Sequence, residues 1–398
     1  MNATKSWKKK ILWVCFLLLD THLHRTTEIQ ILKSLARRGH DVFLVAVHSK
    51  KRPSSETTDI CVISIPLRYI PLVSHAIFVL SLFLFLPFLV LCLKPDFIVV
   101  EPHDITVFGL ISTFLVPRSV RPKIVLDIRS PPVDTVGLLG HVKTLCFDTS
   151  VCMARELFDG ITTITPLMKK EICDKFHIDP EFVGVWTSGV LTELFNPEKY
   201  ALKGIELKRR MGLDDKFIII YHGALTSKRG IIETIDSITL LRGKYRNVAL
   251  FLLGSGPALP DLRRLIQEKG IQDRVFIHGP VDHGDVPEYI AMCDVGILAL
   301  PDLPIWRHQC PLKLLEYLAM RKVAIVTDIP ANRKVIGNSK CGIYASSAEP
   351  RDIAKAIMFA YDNAEKLKKW GSYGRKIVEE KYAWKKVAED FESCLTNC

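Results

Sequence analysis

The sequence predicts an α/β protein made of two Rossmann-like, doubly wound domains that face a central cleft. Three observations support this prediction. The chain has 398 residues, which is too long for one ordinary core. It is 48% hydrophobic without low-complexity tracts or internal repeats, as expected for a well-packed globular protein. Short runs rich in Val and Ile alternate with helical patterns in both halves, which is typical of parallel sheets covered by helices.

The first element is the apolar run ILWVCFLLL, which follows three lysines at positions 8–10. This arrangement resembles a secretory signal. However, the run stops at Asp20, no small-residue cleavage site follows, and the sequence continues as a helix and then a strand. We therefore interpret the run as a buried first strand. In the first half we expect strands near 11–19, 41–47, 97–101, 123–128, 161–165 and 182–186.

The second half repeats this alternation after a polar stretch at 196–204 that contains Pro197. We expect its strands at 217–222, 247–253, 274–279, 294–300 and 323–327. The predicted domains are therefore residues 1–199 and 200–375, followed by a C-terminal helix within 376–398 that packs back on the first domain. Ligands of such sheets collect at the carboxyl ends of the strands, so we expect the active site in the cleft between the domains.

Charge and cysteine content narrow the class of protein. The formal net charge of +11 suits an anionic membrane surface or a phosphorylated ligand. Basic residues occur in short clusters without the interleaved aromatic residues of RNA-binding sheets, so no nucleic-acid partner is expected. The 11 cysteines lie mostly in apolar stretches and form no C-x-x-C pair with zinc-like spacing. They indicate core residues in a reducing compartment, and we expect a cytoplasmic protein.

The stretch YHGALTSKRGIIETIDSI is the first candidate for chemistry. It predicts a strand, a loop through Gly223, and a helix that opens near Arg229 and Gly230. A helix N-terminus beside a guanidinium is a suitable site for a diphosphate. The alternative interpretation is a solvated Lys228 and Arg229 at a helix start, with Gly223 as an ordinary turn residue.

A second candidate is LLGSGP, in which a strand ends at Gly254 and Gly256. Glycine at this position allows a ligand to approach the backbone closely. Strand-to-helix turns also use glycine for geometry alone, so this motif is weak evidence by itself.

The third candidate is CPLKLLEYLAM, where Pro311 suits a first helical turn. Lys313 and Glu316 are three residues apart and share one helix face, with the lysine near the positive end of the helix. A phosphate could contact Lys313 while ribose hydroxyls contact Glu316. The alternative is an ordinary ion pair on a polar helix face.

In this order and spacing the stretches resemble retaining glycosyltransferases of the GT-B fold, particularly family 4, whose members glycosylate capsules, O-antigens and phospholipids. The motifs of that family are G-x-L-x-x-x-(K/R)-G, L-x-G-x-G-P, F-x-G-x-V and P-x-K-x-x-E-Y-x-A. The corresponding stretches of this chain are residues 223–230, 253–257 and 311–319, and FIHGPV at 276–281. The resemblance extends over nearly the whole chain.

The resemblance implies that the first domain binds an acceptor and the second a nucleotide-diphosphate sugar. It implies three catalytic residues: Arg229, assisted by Lys313, would hold the diphosphate, and Glu316 would bind the ribose. The remaining donor-binding residues implied are Gly223, Gly254, Gly256, Gly279, Pro311 and Leu312.

At other positions the match to the family motifs is incomplete. Asp20, Arg25 and Glu28 resemble the first loop and helix of the family, but the usual glycine pair of that loop is absent. The position eight residues before Glu316, where many members have a glutamate, is His308, and whether His308 or Arg307 replaces it stays open. Further candidates for the acceptor or sugar side are His103 and Arg129.

The mechanism expected from these residues is stabilisation of the departing nucleoside diphosphate by positive groups. The sequence contains no Asp-x-Asp, so we expect neither a metal nor another cofactor. Retention of anomeric configuration comes from the resemblance alone. Two alternatives remain: a catalytically silent nucleotide-sugar-binding subunit and a nucleotide-sugar epimerase of the same fold.

The segment 70–93 contains no acidic or basic residue apart from His75 and is long enough to cross a bilayer of about 30 Å. It lies between strands that must pair in one sheet, so a full crossing would separate them. A buried helix is the plain alternative, but apolar residues cover every face. We expect shallow insertion into a membrane leaflet, which would bring the domain to a lipid-linked or glycan acceptor.

Overall fold

The computed structural model describes residues 8–18, 26–48, 59–68, 70, 73–102, 106–132 and 137–398. The candidates Asp20, Arg25 and His103 lie outside the described residues, as does the basic cluster at 50–52. The chain forms two compact units. The first contains Met1–Thr187 and Trp384–Cys398, and the second contains Ser188–Ala383. We call them the first and second domains.

The first domain is a parallel sheet of seven strands in the order β3-β2-β1-β4-β5-β6-β7, covered by helices. Its elements are β1 (Lys10–Leu18), α1 (Thr26–Arg37), β2 (Asp41–His48), β3 (Cys61–Pro66), α2 (Val73–Leu93), β4 (Phe97–Val100), α3 (Thr106–Gly109), β5 (Lys123–Ile128), α4 (Gly137–Leu157), β6 (Gly160–Thr163), α5 (Pro166–Phe176) and β7 (Val183–Val185). The order reverses between β1 and β4, as in a doubly wound sheet.

The second domain begins with α6 (Pro197–Arg210) and contains a parallel sheet of six strands in the order β10-β9-β8-β11-β12-β13. The reversal falls between β8 and β11. Its further elements are β8 (Phe217–His222), α7 (Ile231–Leu240), β9 (Val248–Leu253), α8 (Leu259–Glu268), β10 (Val275–His278), α9 (Val286–Met292), β11 (Val295–Leu298), α10 (Pro304–Arg307), α11 (Leu312–Ala319), β12 (Val323–Thr327), α12 (Pro330–Ile336), β13 (Gly342–Ala345), α13 (Pro350–Asp362) and α14 (Ala364–Lys381).

The last helix, α15 (Trp384–Asn397), belongs to the first domain. Its Phe391 packs against Trp13 of β1 and against Trp186, with ring centroids 5.7 and 4.8 Å apart. At its surface, Nη2 of Arg38 donates to Oε2 of Glu392 over 2.8 Å. The C-terminal helix therefore completes the core of the first domain through aromatic packing, which is a large apolar contribution.

The two-domain, doubly wound α/β class predicted from the sequence is confirmed, and every strand expected from an apolar run is present. Two strands were not predicted, β3 and β13, and both lie at a sheet edge. An edge strand has a neighbour on one side only and needs less apolar surface. No residue of β3, which ends in Pro66, is fully buried, and only alternate residues of β13 are buried.

Helix α2 connects β3 to β4, which belong to the same sheet, so it runs back along the domain as a crossover connection. Its fully buried side chains repeat every four residues and form one stripe along the helix. Within the described part of the chain, α2 is the one helix long and apolar enough to cross a membrane by length and composition. Its buried stripe consists of Ser74, Phe78, Leu82, Leu86 and Val90.

Candidate functional site

The site in the second domain is built at the carboxyl ends of β8, β9 and β11, beside the reversal of strand order. β8 ends at His222, and the next residue, Gly223, has φ of +107°, a left-handed conformation. A Cβ atom at Gly223 would lie 2.6 Å from Cε of Lys313. The positive φ favours glycine at this turn, and the end of the Lys313 side chain lies close above it.

The glycines after β9 allow two loops to pack closely against each other. A Cβ atom at Gly254 would lie 2.1 Å from the carbonyl oxygen of Gly223, and one at Gly256 would lie 2.2 Å from that of Leu225. The amide of Leu225 donates to the carbonyl of Ser255 over 2.9 Å. Close approach of the loops thus accounts for Gly254 and Gly256. Gly279 differs, because a Cβ there would meet no atom within 4 Å.

Arg229 lies at the end of the 3-10 helix Ser227–Arg229, just before α7. Gly230 follows in a left-handed conformation, φ +70°, and a side chain there would collide with the carbonyl of Ala299 after β11. The guanidinium of Arg229 lies 4.9 Å above the ring of Trp306, whose Nε1 donates to the carbonyl of Lys228 over 2.9 Å. Helix α7 thus begins at Ile231, slightly later than the sequence pattern predicts, and Trp306 orients the arginine.

Lys313 is the second residue of α11, where the helix N-terminus carries partial positive charge. Its Nζ lies 5.6 Å from the ring centroid of Tyr221. Burial lowers the pKa of Lys313 to about 8; the charge of Arg229 acts in the same direction, and Glu316 opposes both. Burial also raises the pKa of Tyr221 to about 12, against the opposing charge of Arg229. Two neighbouring cations on a helix start form an environment that favours an anion.

Pro311 and Leu312 set the start of that helix. Pro311 is the cap residue, with φ of −74° and ψ of 105°, and its carbonyl accepts from the amide of Leu314 over 3.0 Å. The sequence pattern predicts Pro311 in the first turn of the helix, and the structure places it one residue before that turn. Leu312 begins the helix, and both residues are half-buried.

Glu316 is 7% exposed and faces two histidines. Its Oε1 lies 3.0 Å from Nε2 of His283, and its Oε2 lies 3.2 Å from Nε2 of His222. Burial opposes ionisation of Glu316, but the charges and hydrogen bonds of the two histidines outweigh it and lower the pKa to about 2. Each carboxylate oxygen has a second lone pair, so Glu316 can accept further hydrogen bonds from hydroxyl groups.

Sequence reasoning missed His222 and His283 as partners of Glu316. His222 stands at the end of an otherwise apolar strand, FIIIYH, and burial lowers its pKa. A polar residue that ends a buried strand is the signal that could have found it. His283 lies in the loop after β10, 33 residues from Glu316 in sequence, and carried no comparable signal.

The structure separates the two residues proposed to replace the missing first glutamate. Arg307 forms two hydrogen bonds with Asp302, at 2.7 and 2.8 Å, and its side chain is 45% exposed. His308 is 5% exposed and follows α10 directly. Arg307 is thus paired at the surface, whereas His308 is buried in the second domain.

The first domain has a different polar cluster, at the carboxyl ends of β4 and β5. Arg129 is buried, with its guanidinium 3.8 Å from the ring centroid of Trp186 and Nη1 donating to the Trp186 carbonyl over 3.2 Å. Its Nε lies 4.0 Å from Oδ2 of Asp127. Oδ1 of Asp127 accepts from Thr162 and from the indole of Trp186, over 2.7 and 2.8 Å. Arg129 is therefore part of a buried network.

Two further carboxyl groups join that network. Burial raises the pKa of Glu101 well above its usual value, and the charges of Glu28 and Asp127 add to the effect. Burial likewise raises the pKa of Glu28 to about 7, partly offset by a backbone hydrogen bond and by Arg129. Burial therefore raises the pKa of all three carboxyl groups and favours their protonated forms. We call Glu28, Glu101, Asp127 and Arg129 the acidic cluster.

Comparison with known proteins shows what this chain is similar to. Residues 205–377 match the model of the family described as Glycosyl transferases group 1. Alpha-D-kanosaminyltransferase of Streptomyces kanamyceticus is 28% identical over 178 residues, which is 45% of this chain and 45% of that protein. GDP-mannose-dependent alpha-(1-6)-phosphatidylinositol monomannoside mannosyltransferase of Mycobacterium tuberculosis is 23% identical over 204 residues, 50% of this chain and 52% of that protein. The chain thus spans about half the length of these curated relatives.

Among solved structures, the crystal structure of Anabaena Alr3699/HepE in complex with UDP and glucose has a TM-score of 0.76 to this chain. The match covers 98% of this chain and 100% of that one at 15% sequence identity. At this identity the likeness shows the fold. The matched family region contains every residue of the site in the second domain.

Proposed function

We propose that this chain, which has the GT-B glycosyltransferase fold and whose residues 205–377 match the model of the glycosyl transferases group 1 family, transfers a sugar from a nucleotide-diphosphate donor to an acceptor. The observation that carries the proposal is the pairing of Arg229 and Lys313 at helix starts beside Glu316. The pKa of Lys313 is lowered because the lysine is buried beside a second cation. Binding of a diphosphate there would relieve this electrostatic cost.

In the proposed reaction the acceptor hydroxyl oxygen forms a bond to the anomeric carbon while the bond from that carbon to the diphosphate breaks. The electron pair remains on the departing diphosphate, which also takes the hydroxyl proton. Arg229 and Lys313 face the negative charge that develops there, which is the largest stabilising effect available to such a site. We propose that these side chains act without a divalent metal and that the anomeric configuration is retained, as in the family that the motifs resemble.

Glu316 is proposed to bind the ribose. His222 and His283 hold its carboxylate in place and keep it ionised, so it can accept hydrogen bonds from two vicinal hydroxyls. His308 is proposed to contact the transferred sugar, because Arg307 is already paired with Asp302. Gly279, where a side chain would meet open space, is proposed to lie beside the nucleoside.

The acceptor is proposed to be lipid-linked or a polysaccharide, with the first domain attached peripherally to the cytoplasmic face of a membrane. One relative is described as acting on a phosphatidylinositol monomannoside. In this chain, α2 leaves large apolar side chains exposed along most of its circumference, for example Leu84, Phe85 and Phe88 at 62%, 62% and 64%. An exposed apolar surface of this length needs a partner, and a lipid leaflet fits its lack of charge.

A panel of nucleotide sugars tests the donor proposal. A donor that binds only the folded state and is present at a concentration of about 100 times its Kd stabilises that state by about 2.7 kcal/mol, which gives a clear rise in Tm. Transfer is then measured with the donors that bind, and the product's anomeric configuration is read by NMR. Activity is expected to survive EDTA. Loss in EDTA with recovery on adding magnesium or manganese would overturn metal-free transfer, and no response to any donor would overturn the proposed function.

Vesicle co-sedimentation tests the membrane proposal. The variant carries Leu84→Lys, Phe85→Lys and Phe88→Lys, all on the exposed side of α2. A matched control carries three lysines at exposed apolar positions of α4: Val142, Leu145 and Leu157. Wild type and control are expected to pellet with vesicles, and the α2 variant to stay in solution. A wild type that stays monodisperse in the supernatant without detergent contradicts the proposal.

A further inference from the structure

The apolar surface of α2 continues onto a neighbouring segment. The 3-10 helix Leu110–Leu115 packs against α2 and exposes Ile111 and Leu115 at 42% and 74%. Gly109 permits this packing, since a Cβ there would lie 2.8 Å from Cβ of Leu82. We call the exposed side chains of α2 together with Ile111 and Leu115 the apolar platform.

A cavity of about 460 Å³ lies where the platform ends. Lys94 follows α2 directly and lines it, as do Lys9, Arg121 and Lys123. Arg121 is anchored to the other platform segment, because its Nη2 donates to the carbonyls of Phe114 and Val116 over 2.9 and 3.1 Å. Four cationic side chains therefore line a cavity adjoining the C-terminal ends of both apolar segments.

One carboxylate, Asp96, also lines the cavity and accepts from Nζ of Lys9 over 2.9 Å and from the backbone of Lys10 over 2.8 Å. Burial works against ionisation of Asp96, but these hydrogen bonds outweigh it and lower the pKa. The side chains that line the cavity thus carry an excess of positive charge even with Asp96 ionised. Lys94 and Lys123 are exposed at its mouth.

The backbone at the mouth is strained. Lys94 has φ of +49°, in the left-handed region that helix ends usually fill with glycine. A lysine adopts this conformation at a higher conformational energy than glycine, and here it places a cation at the end of the platform. The C-terminal end of α2 also favours cations, and Nζ of Lys10 donates to the carbonyl of Leu93 over 3.0 Å.

We propose that this cavity binds the phosphate headgroup of an anionic phospholipid while the apolar platform inserts among the acyl chains. The arrangement matches what an interface requires: apolar side chains at the level of the acyl chains and cations at the level of the phosphates. The headgroup site fixes which end of the platform meets the lipid phosphates. This inference rests on the proposed membrane attachment and adds a lipid preference to it.

The test uses the double variant Lys94→Gln/Lys123→Gln of the full chain. A charge-matched control removes two exposed lysines elsewhere in the first domain, Lys143→Gln/Lys170→Gln. Binding is measured to vesicles of phosphatidylcholine alone and to vesicles with added phosphatidylserine. One lysine near an anionic surface changes binding about fivefold. The double variant is therefore expected to bind anionic vesicles about 10- to 30-fold more weakly than wild type, with Tm and donor binding unchanged.

The two proposals fail in different ways. If wild type binds neither kind of vesicle, membrane attachment itself fails. If wild type binds both kinds equally, or the double variant keeps the wild-type preference for anionic vesicles, the headgroup site is wrong and attachment stands. An equal loss in the control pair would show a response to net charge alone and would also overturn the headgroup site.

Discussion

Both domains place a polar cluster at the carboxyl ends of strands in a doubly wound sheet, but cations outnumber carboxyl groups in one cluster and carboxyl groups outnumber cations in the other. In the second domain, Arg229 and Lys313 stand beside one carboxylate, Glu316, whose pKa is about 2. In the first domain, three carboxyl groups surround Arg129, and burial raises their pKa values. The fold therefore sets where ligands meet the sheet, and the side chains decide whether that place favours an anion.

The two polar clusters should differ in the ligands that they bind. A cationic site with a lowered lysine pKa gains stability when a diphosphate arrives, because the ligand supplies the missing negative charge. In the acidic cluster, carboxyl groups outnumber the one guanidinium, which disfavours an anion. Its carboxyl groups can instead exchange hydrogen bonds with neutral hydroxyl groups, such as those of an acceptor.

The largest effect is expected from Arg229→Ala. Removing a charge-assisted contact to the diphosphate costs about 1.5 to 3 kcal/mol, or about 10- to 150-fold in kcat/KM. The control is Arg264→Ala, an exposed arginine of the same domain that pairs with Asp261, and it should leave kcat/KM unchanged. Glu316→Gln should raise KM for the donor. If the Arg229→Ala variant kept wild-type kinetics, Arg229 would not belong to the donor site.

The second expectation concerns pH. If the pKa of Lys313 is about 8 in the unliganded protein, its ammonium is lost as pH rises through 8. Donor affinity should then fall about tenfold between pH 7 and pH 9, since only the protonated lysine assists binding. Calorimetry with an intact nucleotide sugar measures this. Lys313→Met should bind more weakly at pH 7 and show no such fall. A flat wild-type profile over this range would contradict the prediction.

Strands and candidate site residues could be predicted from the sequence where it contains apolar runs or spaced motifs. β8 and β12 are fully buried, so their Val- and Ile-rich runs were sufficient to predict them. The edge strands β3 and β13 lack such runs. Among the candidate site residues, Arg229, Lys313 and Glu316 were proposed from the sequence because they lie on short motifs. His283 was not, because its partner is distant in sequence and only the folded sheet brings them together.

The acidic cluster shows the same limit. Glu28, Glu101 and Asp127 lie on three separate elements and share no motif, so the sequence gives no hint that they meet. Arg129 was predicted as a loop residue on the acceptor or sugar side, and the structure places it inside the cluster, over the ring of Trp186. Whether it also contacts an acceptor stays a prediction.

The smallest effect is expected from Glu28→Gln, which tests the protonated state of the acidic cluster. The pKa of Glu28 is about 7 in the folded protein and near 4.5 when unfolded. Between these values the folded state holds a proton that the unfolded state has lost. The free energy of unfolding therefore falls as pH rises from about 4.5 to 7 and stays lower above it.

Glutamine keeps the neutral shape of the protonated acid at every pH. Glu28→Gln should therefore match wild type near pH 4.5 and exceed it by about 1 to 2 kcal/mol at pH 8, since coupling to Glu101 and Asp127 shares the cost among three groups. The measurement compares Tm of both proteins at pH 5 and pH 8. The control is Glu156→Gln, a carboxylate with a 63% exposed side chain on the same domain, which should give no pH-dependent difference. A variant less stable than wild type at pH 8 would mean that Glu28 is ionised and paired with Arg129, and the acidic cluster would then be an ordinary ion-pair network.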